Sequence, residues 1–536
     1  MEPATSDPTA LPIPAPSQDL GAGSSRIFLG LFGIILFIGV VYAGVHLGED
    51  LSVVRSPSAL PYVLLGIALA IALGFEFVNG FHDTANAVAT VIYTNALPAN
   101  LAVIWSGMFN FLGVLTSTGG VAFAIVSLLP VELILQVGST AGFAMVFALL
   151  ISAILWNLLT WYVGLPNSSS HTLIGSIMGV GLANELLGGP SGTSGVDWTQ
   201  VTKVFQALFW SPLAGFVLAG GLMYVLKITL SRSPELFRAP EGRKPPPPLI
   251  RALLILTCTG VSFSHGSNDG QKGMGLIMLI LIGTVPTAYA LNAAVTPDQM
   301  ASYHAASLAA ESALVSMSRN EPAYVGDPKA AVTRAVQKRA LQPDTLSAES
   351  ALIGEIDEQI ADRASMREIP AGQVSNVRNN IYLADTTLTL ALKAPGITPA
   401  EKKALTAYKA DGNRATQFIP NWVKVAVALA LGMGTMVGWK RIVRTVGEKI
   451  GKQHLTYAQG LSAEVVAMGL IQAGTAYHLP MSTTHVLTSG VAGTMAANGS
   501  GLQWETIRNL AAAWVFTLPA SILISGVLYA VFRATF

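Results

Sequence analysis

Charge is what this chain has least of. Only 11% of its 536 residues are Asp, Glu, Lys or Arg, against about 25% in soluble domains. With 51% apolar residues and a mean hydropathy of +0.53, an ordinary soluble globular protein is excluded and an integral membrane protein indicated. A net charge of +1 is uninformative about nucleic acid, and no basic patch suggests it, so no nucleic-acid partner is expected. The single cysteine, Cys258, allows no intramolecular disulfide, and its apolar run suits an inert buried thiol. No phosphate-binding P-loop, nucleophile elbow or metalloprotease spacing occurs, so nothing points to an enzyme. Residues 1–25, rich in Pro, Ser and Ala, lack the basic start of a signal peptide and read as a disordered tail.

Apolar runs take the place of charge. A helix needs about 20 apolar residues to cross the hydrocarbon of a bilayer, and candidates lie near 27–47, 60–93, 101–129, 141–163, 203–228, 252–287, 421–438 and 505–532. Two ambiguous pairs near 166–187 and 457–498 bring the expectation to about 10–12 membrane segments in an all-α polytopic fold. The 60–93 and 252–287 runs exceed one straight span, and each carries a polar, glycine-rich island. These are Asn79-Gly80-Phe81-His82-Asp83-Thr84-Ala85-Asn86 and Ser264-His265-Gly266-Ser267-Asn268-Asp269-Gly270-Gln271-Lys272-Gly273. Broken helices are expected at both, because irregular backbone survives at membrane depth where it lines a cavity.

The islands are related. Asp83 aligns with Asp269 and Gly80 with Gly266, and a second motif also recurs: Pro166-Asn167-Ser168-Ser169-Ser170-His171-Thr172 matches Pro480-Met481-Ser482-Thr483-Thr484-His485-Val486. Proline followed by hydroxyl residues suits a helix start, so each copy is expected to be the tip of a re-entrant hairpin. Asp83 to His171 spans 88 positions; Asp269 to His485 spans 216, of which the polar region 288–420 takes up about 133. Two motifs in one order at one corrected spacing indicate a duplication.

Region 288–420 holds 27 of the chain's 61 charged residues, nearly balanced in sign, and is expected to be a soluble insertion with helix around 346–368. The short loops set orientation. Lys227, Arg232, Arg238, Arg243, Lys244 and Arg251 surround one connection, and Lys440, Arg441, Arg444, Lys449 and Lys452 another; both belong on the cytoplasmic side. The resulting layout is a tail (1–25), an extra helix (26–50), repeat 1 (51–228), a basic cytoplasmic loop (229–251), the start of repeat 2 (252–287), a periplasmic insertion (288–420) and the rest of repeat 2 (421–536). Counting crossings gives 60–93 and 252–287 opposite directions, which is inverted-repeat topology with sites at the midplane.

Carboxylates at membrane depth are functional candidates by default. Asp83 and Asp269, with Asn79 and Asn268, are candidate ligands for a hard cation or carriers of a proton. The hydroxyls of Ser168, Ser169, Ser170, Ser482, Thr483 and Thr484 at helix starts favour an anion. His82, Glu76 and Glu464 are proton-coupling candidates. His171, His265, His485 and Lys272 stand between structural and functional roles, Lys272 as either a counter-ion to Asp269 or an anion contact. Adjacent helical residues point about 100° apart, so His82 and Asp83 are poorly placed as a catalytic dyad. Cation sites beside anion-binding helix starts describe a cation-coupled oxyanion symporter; a channel, and a carrier of another oxyanion such as sulfate, remain alternatives.

The two islands and the two Pro-x-Ser-x-x-His hairpins resemble the PiT family of bacterial low-affinity inorganic phosphate transporters over 60–287 and 421–532. The resemblance implies a homodimer in the inner membrane, an inverted-repeat fold, and alternating-access uptake of inorganic phosphate, in bacterial members as a divalent metal-phosphate complex driven by protons. Proton, or alternatively sodium, and Mg²⁺ or another divalent ion would then be cargo, with no permanently bound cofactor. Matching motifs imply ion and phosphate contacts at Asp83, Asn86, Asp269, Gln271 and the two hydroxyl clusters. Sodium-driven relatives carry Asn-Asp where this chain has His82-Asp83, which favours protons.

Overall fold

The computed structural model describes residues 26–52, 60–83, 85–129, 131–135, 138–188, 196–319 and 321–535. The tail 1–25 and the side chain of Asn86 lie outside the described residues. Among the described residues the architecture is helical, without a β-strand. The first part comprises α1 (Arg26–Ser52), α2 (Leu60–Asp83), α3 (Ala85–Tyr93), α4 (Ala99–Thr116), α5 (Gly120–Val126), α6 (Val131–Leu135), α7 (Thr140–Val163), α8 (Ser169–Leu187) and α9 (Trp198–Thr229). Then come α10 (Pro248–Thr284), α11 (Pro286–Tyr289) and the insertion helices α12 (Pro297–Met317), α13 (Pro328–Lys338), α14 (Thr345–Ile360), α15 (Ala371–Ala391) and α16 (Pro399–Thr416). The chain closes with α17 (Asn421–Gly434), α18 (Lys440–Glu448), α19 (Tyr457–Ala476), α20 (Thr483–Asn498) and α21 (Trp504–Thr535).

Seven described segments are long and apolar enough to cross a membrane: Phe32–Ser52, Pro61–Tyr93, Ala99–Thr116, Thr140–Val163, Trp198–Thr229, Pro248–Thr284 and Trp504–Thr535. Their outward faces carry apolar side chains such as Phe37, Phe209, Val217, Val515 and Leu523, exposed as a lipid-facing surface requires.

Packing repeats within the molecule. Helix α2 packs on α17 and α7, and α10 packs on α4 and α19; α8 lies on α21, and α20 on α9. Pairing α2 with α10, α4 with α17, α7 with α19, α8 with α20 and α9 with α21 converts each of these contacts into another. Glycine makes the corresponding crossings close. A Cβ on Gly80 would sit 2.2 Å from Leu431 O of α17, and one on Gly266 2.1 Å from Asn110 O of α4. Small residues at such crossings let backbones touch, the main source of helix association where lipid competes equally for apolar side chains.

That use of glycine corrects one expectation. The second island lies in an unbroken 37-residue helix, α10. Its glycines admit neighbours instead of breaking the backbone: Gly266 admits α4, Gly270 the Val114 side chain, and Gly273 the side chain of Glu76. In the first island α2 ends at Asp83 and α3 begins at Ala85; Thr84, between them, lies outside the described residues.

The polar region 288–420 is a helical bundle whose buried residues, among them Leu346, Leu352, Ile353, Ile356, Val377, Ile381, Leu388 and Leu405, are continuous with the apolar core of the membrane helices. Capping boxes at Thr296/Gln299 and Thr398/Glu401 start α12 and α16. The expected helix over 346–368 is α14 followed by a 3₁₀ turn, Met366–Glu368.

Candidate functional site

The hydroxyl motifs open helices as their sequence suggests. Ser168 caps α8, its Oγ accepting from His171 N at 3.2 Å, and Ser482 caps α20, accepting from His485 N at 3.2 Å. Ser170 Oγ donates to Met481 O at 2.7 Å, which ties the two tips together. The imidazoles of His171 and His485 follow, buried, with ring centroids 4.5 Å apart. Two motifs more than 300 residues apart thus form one doubled helix start in the middle of the molecule.

Asp83, the last residue of α2, meets both tips. Ser169 Oγ donates to its Oδ2 at 2.7 Å and Thr484 Oγ1 to its Oδ1 at 2.6 Å. Ser169 Oγ also lies 3.4 Å from Asp269 Oδ2 and so bridges the carboxylates of the two islands. All these groups are buried.

The two carboxylates are nevertheless treated differently. Asp83 is held by hydroxyls and by His82, whose Nδ1 is 3.2 Å from Oδ1. Asp269 has Lys272 Nζ at 2.6 Å and His265 Nε2 at 3.4 Å from Oδ2. Three residues after each aspartate the sequence has Asn86 in the first island and Lys272 in the second, and within α10 that spacing is one helical turn. Lys272 is therefore the counter-ion of Asp269. The contact between His82 and Asp83 corrects the expectation that adjacent side chains stay apart; ring and carboxylate both reach past the divergence of their Cβ bonds. His82 Nε2 lies 3.2 Å from Thr160 Oγ1, completing its contacts.

Several expected site residues are placed elsewhere. Gln271 is turned to backbone: Nε2 donates to Ser267 O at 2.7 Å, and Oε1 accepts from Val121 N at 2.9 Å. Asn268 braces the α19–α20 connection, donating to Thr475 Oγ1 and Leu479 O and accepting from Met481 N. Asn79 Nδ2 donates to Glu76 Oε2 at 3.3 Å. Glu464, on α19, accepts from Thr90 and Thr257 and takes no part in the carboxylate cluster. Thr483 Oγ1 is buried without a hydrogen-bond partner, as are Asp269 Oδ1 and Glu76 Oε1. Unsatisfied buried polar atoms of this kind call for a ligand or water.

Sequence reasoning missed Thr160 and Asn110, whose Oδ1 lies 2.6 Å from His265 Nδ1. A polar residue inside the apolar run 101–129 was the available signal for Asn110.

Chemically, Asp83, His265 and Asp269 each offer one ligand atom, all within 4.8 Å of one another, a spacing that suits one cation. The doubled helix start beside them supplies two positive helix ends and the unpartnered hydroxyl of Thr483 for an anion. Paired charges enclosed among long apolar helices suit a membrane protein that handles polar solutes.

Comparison with known proteins narrows the class. The profile of the Phosphate transporter family matches residues 79–525. The low-affinity inorganic phosphate transporters PitA and PitB of Escherichia coli K12 are each 43% identical to this chain, covering 87% of it and 96% of their own length. A probable low-affinity inorganic phosphate transporter of Bacillus subtilis is 28% identical over 88% of this chain and 99% of its own. A solved structure described as the sodium-dependent phosphate transporter aligns with a TM-score of 0.49 and 17% identity, over 88% of this chain and all of that one. The chain belongs to the Phosphate transporter family. It is accordingly a multi-pass protein of the bacterial inner membrane and a transport protein, not an enzyme.

Proposed function

We propose that this protein imports inorganic phosphate by alternating access, with protons as the driving ion and a divalent metal ion accompanying the phosphate. The observation that carries the reading is the bridge from Asp83 through Ser169 to Asp269 at the doubled helix start. Cation ligands and anion donors there share one buried cluster. Phosphate would accept from hydroxyls and backbone N–H groups of the tips, while a divalent cation between it and the carboxylates cancels the repulsion of like charges.

The names of the 43% identical relatives support phosphate over other oxyanions. The exchange of helix contacts between α2–α9 and α10–α21 supports an inverted repeat, and with it rocking of one half against the other. His82 supports a proton route through its place between Asp83 and Thr160, each within 3.2 Å of one ring nitrogen. In the same reading the insertion is periplasmic, the tips are re-entrant, and the protein is a homodimer, as its resemblance to the family implies.

The deciding experiment is phosphate uptake into proteoliposomes with sodium, pH and Mg²⁺ varied independently. Accumulation that needs a proton gradient and Mg²⁺ but not sodium supports the reading; accumulation driven by sodium alone replaces protons with sodium. Equilibration without accumulation would make the protein a channel, and displacement by equimolar sulfate would make it a general oxyanion carrier.

A further inference from the structure

A cavity with charged residues in its lining lies away from the carboxylate cluster, between the membrane helices and the insertion. Its volume is about 560 Å³, within the roughly 300–1,000 Å³ of small-molecule pockets. One wall is formed by α5, α9 and α10, the other by α13, α15 and α16. Four cationic residues, Lys203, Arg339, Arg378 and Lys393, reach it, against two acids, Asp197 and Asp385.

Both acids are already engaged. Asp197 caps α9, accepting from Thr199 N at 2.9 Å and Gln200 N at 3.1 Å, and Asp385 pairs with Lys409 at 2.7 Å. Arg378 is the opposite case. It is 7% exposed, yet its guanidinium has only Asn379 Oδ1 at 3.2 Å and the Tyr382 ring at 5.3 Å, and among the described residues no carboxylate pairs with it. Burying a guanidinium without a counter-ion is costly, and that burial depresses its proton affinity. A planar fork of donors facing a cavity with surplus positive charge suits a tetrahedral oxyanion.

We propose that this cavity is a second oxyanion site, centred on Arg378, which takes a phosphate-bearing anion: either free inorganic phosphate or the headgroup of a phospholipid. The geometry links it to the central cluster. Gly275, in its wall, stands six residues beyond Asp269 on α10, about 9 Å along the axis. Phe123 and Val126 of the wall belong to the helix whose Val121 N holds Gln271. An anion here waits on the insertion side of the carboxylates. That waiting role rests on the transport reading; the existence of the site does not.

The test is equilibrium binding of radiolabelled inorganic phosphate to the purified full chain, with bound phospholipid measured on the same samples. Two variants are compared with wild type: Arg378→Gln, and Lys203→Ser with Lys393→Ser, whose side chains are exposed and whose loss leaves the fold intact. Free phosphate as occupant predicts one fewer phosphate per chain in both variants at low ionic strength. Asp269→Asn, in contrast, keeps this phosphate, so failure of the transport reading leaves the result standing. A headgroup as occupant predicts unchanged phosphate binding but loss of co-purified anionic phospholipid. Equal phosphate and equal phospholipid in wild type and both variants would overturn the proposal.

Discussion

Lys272 offers the sharpest test of how the central site is held together. Its ammonium and the carboxylate of Asp269 are 2.6 Å apart with side chains 0% and 1% exposed. At an effective dielectric near 20, two unit charges at that distance attract by roughly 6 kcal/mol, most of which offsets the cost of taking both out of water. Lys272→Met fills similar space but leaves Asp269 with only His265 and the distant Ser169 hydroxyl. Breaking a buried pair from one side costs about 3–5 kcal/mol. Asp269→Asn with Lys272→Met removes both charges and should recover most of that loss, a coupling well above the ~0.5 kcal/mol of independent sites. Thermal unfolding of the purified protein measures Lys272→Met, Asp269→Asn and the double variant. Phosphate uptake should be lost in every one, which separates folding from transport. If Lys272→Met unfolds within about 0.5 kcal/mol of wild type, or the double variant is no better than the single, Lys272 is not the counter-ion and the electrostatic argument for the site fails.

Three further outcomes follow from the geometry. His82→Asn creates the Asn-Asp pair that the family resemblance associates with sodium drive and should weaken the pH dependence of uptake or introduce sodium dependence; an unchanged ion profile would remove His82 from coupling. Burial of Glu349 inside the insertion, opposed by the attraction of Lys409 and reinforced by Asp385, holds its carboxyl well above the ordinary value of 4.5. The folded chain therefore binds that proton more tightly than the unfolded chain, so stability from this group is full below pH 4.5 and is lost as pH rises through the raised value. Glu349→Gln should match wild type in thermal unfolding at pH 4.5 and exceed it in alkaline buffer, and equal melting at both would refute the burial argument. Gly266→Val places atoms where Asn110 O stands 2.1 Å from a Cβ and should cost at least the 1–3 kcal/mol of an overpacked core, against a mild effect for Gly66→Val, which has open space around it; similar melting of the two would show that α4 and α10 are not in close contact.

Much of this protein was legible before any coordinates. Hydropathy located the seven long apolar helices among the described residues, because lipid forces every backbone polar group into intrahelical bonds; of the expected runs, 421–438 is only the short helix α17, and 101–129 is divided between α4 and α5. The paired islands and paired hairpin motifs pointed to the polar residues that the fold gathers into one buried cluster, since polar groups are costly at membrane depth. Helix starts at Ser168 and Ser482 were readable because capping is decided by residues three apart.

What the linear pattern could not decide is where each polar group points. Glycine-rich stretches read as breaks, yet in α10 glycine serves as a notch for a neighbour's backbone, a role that depends on a helix 150 residues away. Gln271 and Asn268 look like ligands by position, but the backbone groups of α5 and of the α19–α20 connection claim them. The repeats predict two equivalent carboxylates; only in three dimensions do both meet one serine, Ser169, with Lys272 beside one and hydroxyls around the other. Composition and periodicity are set by the solvent, water or lipid, which acts on every residue alike. The partner of a buried polar atom is set by whichever distant segment packing brings within 3 Å, and only the folded chain specifies that.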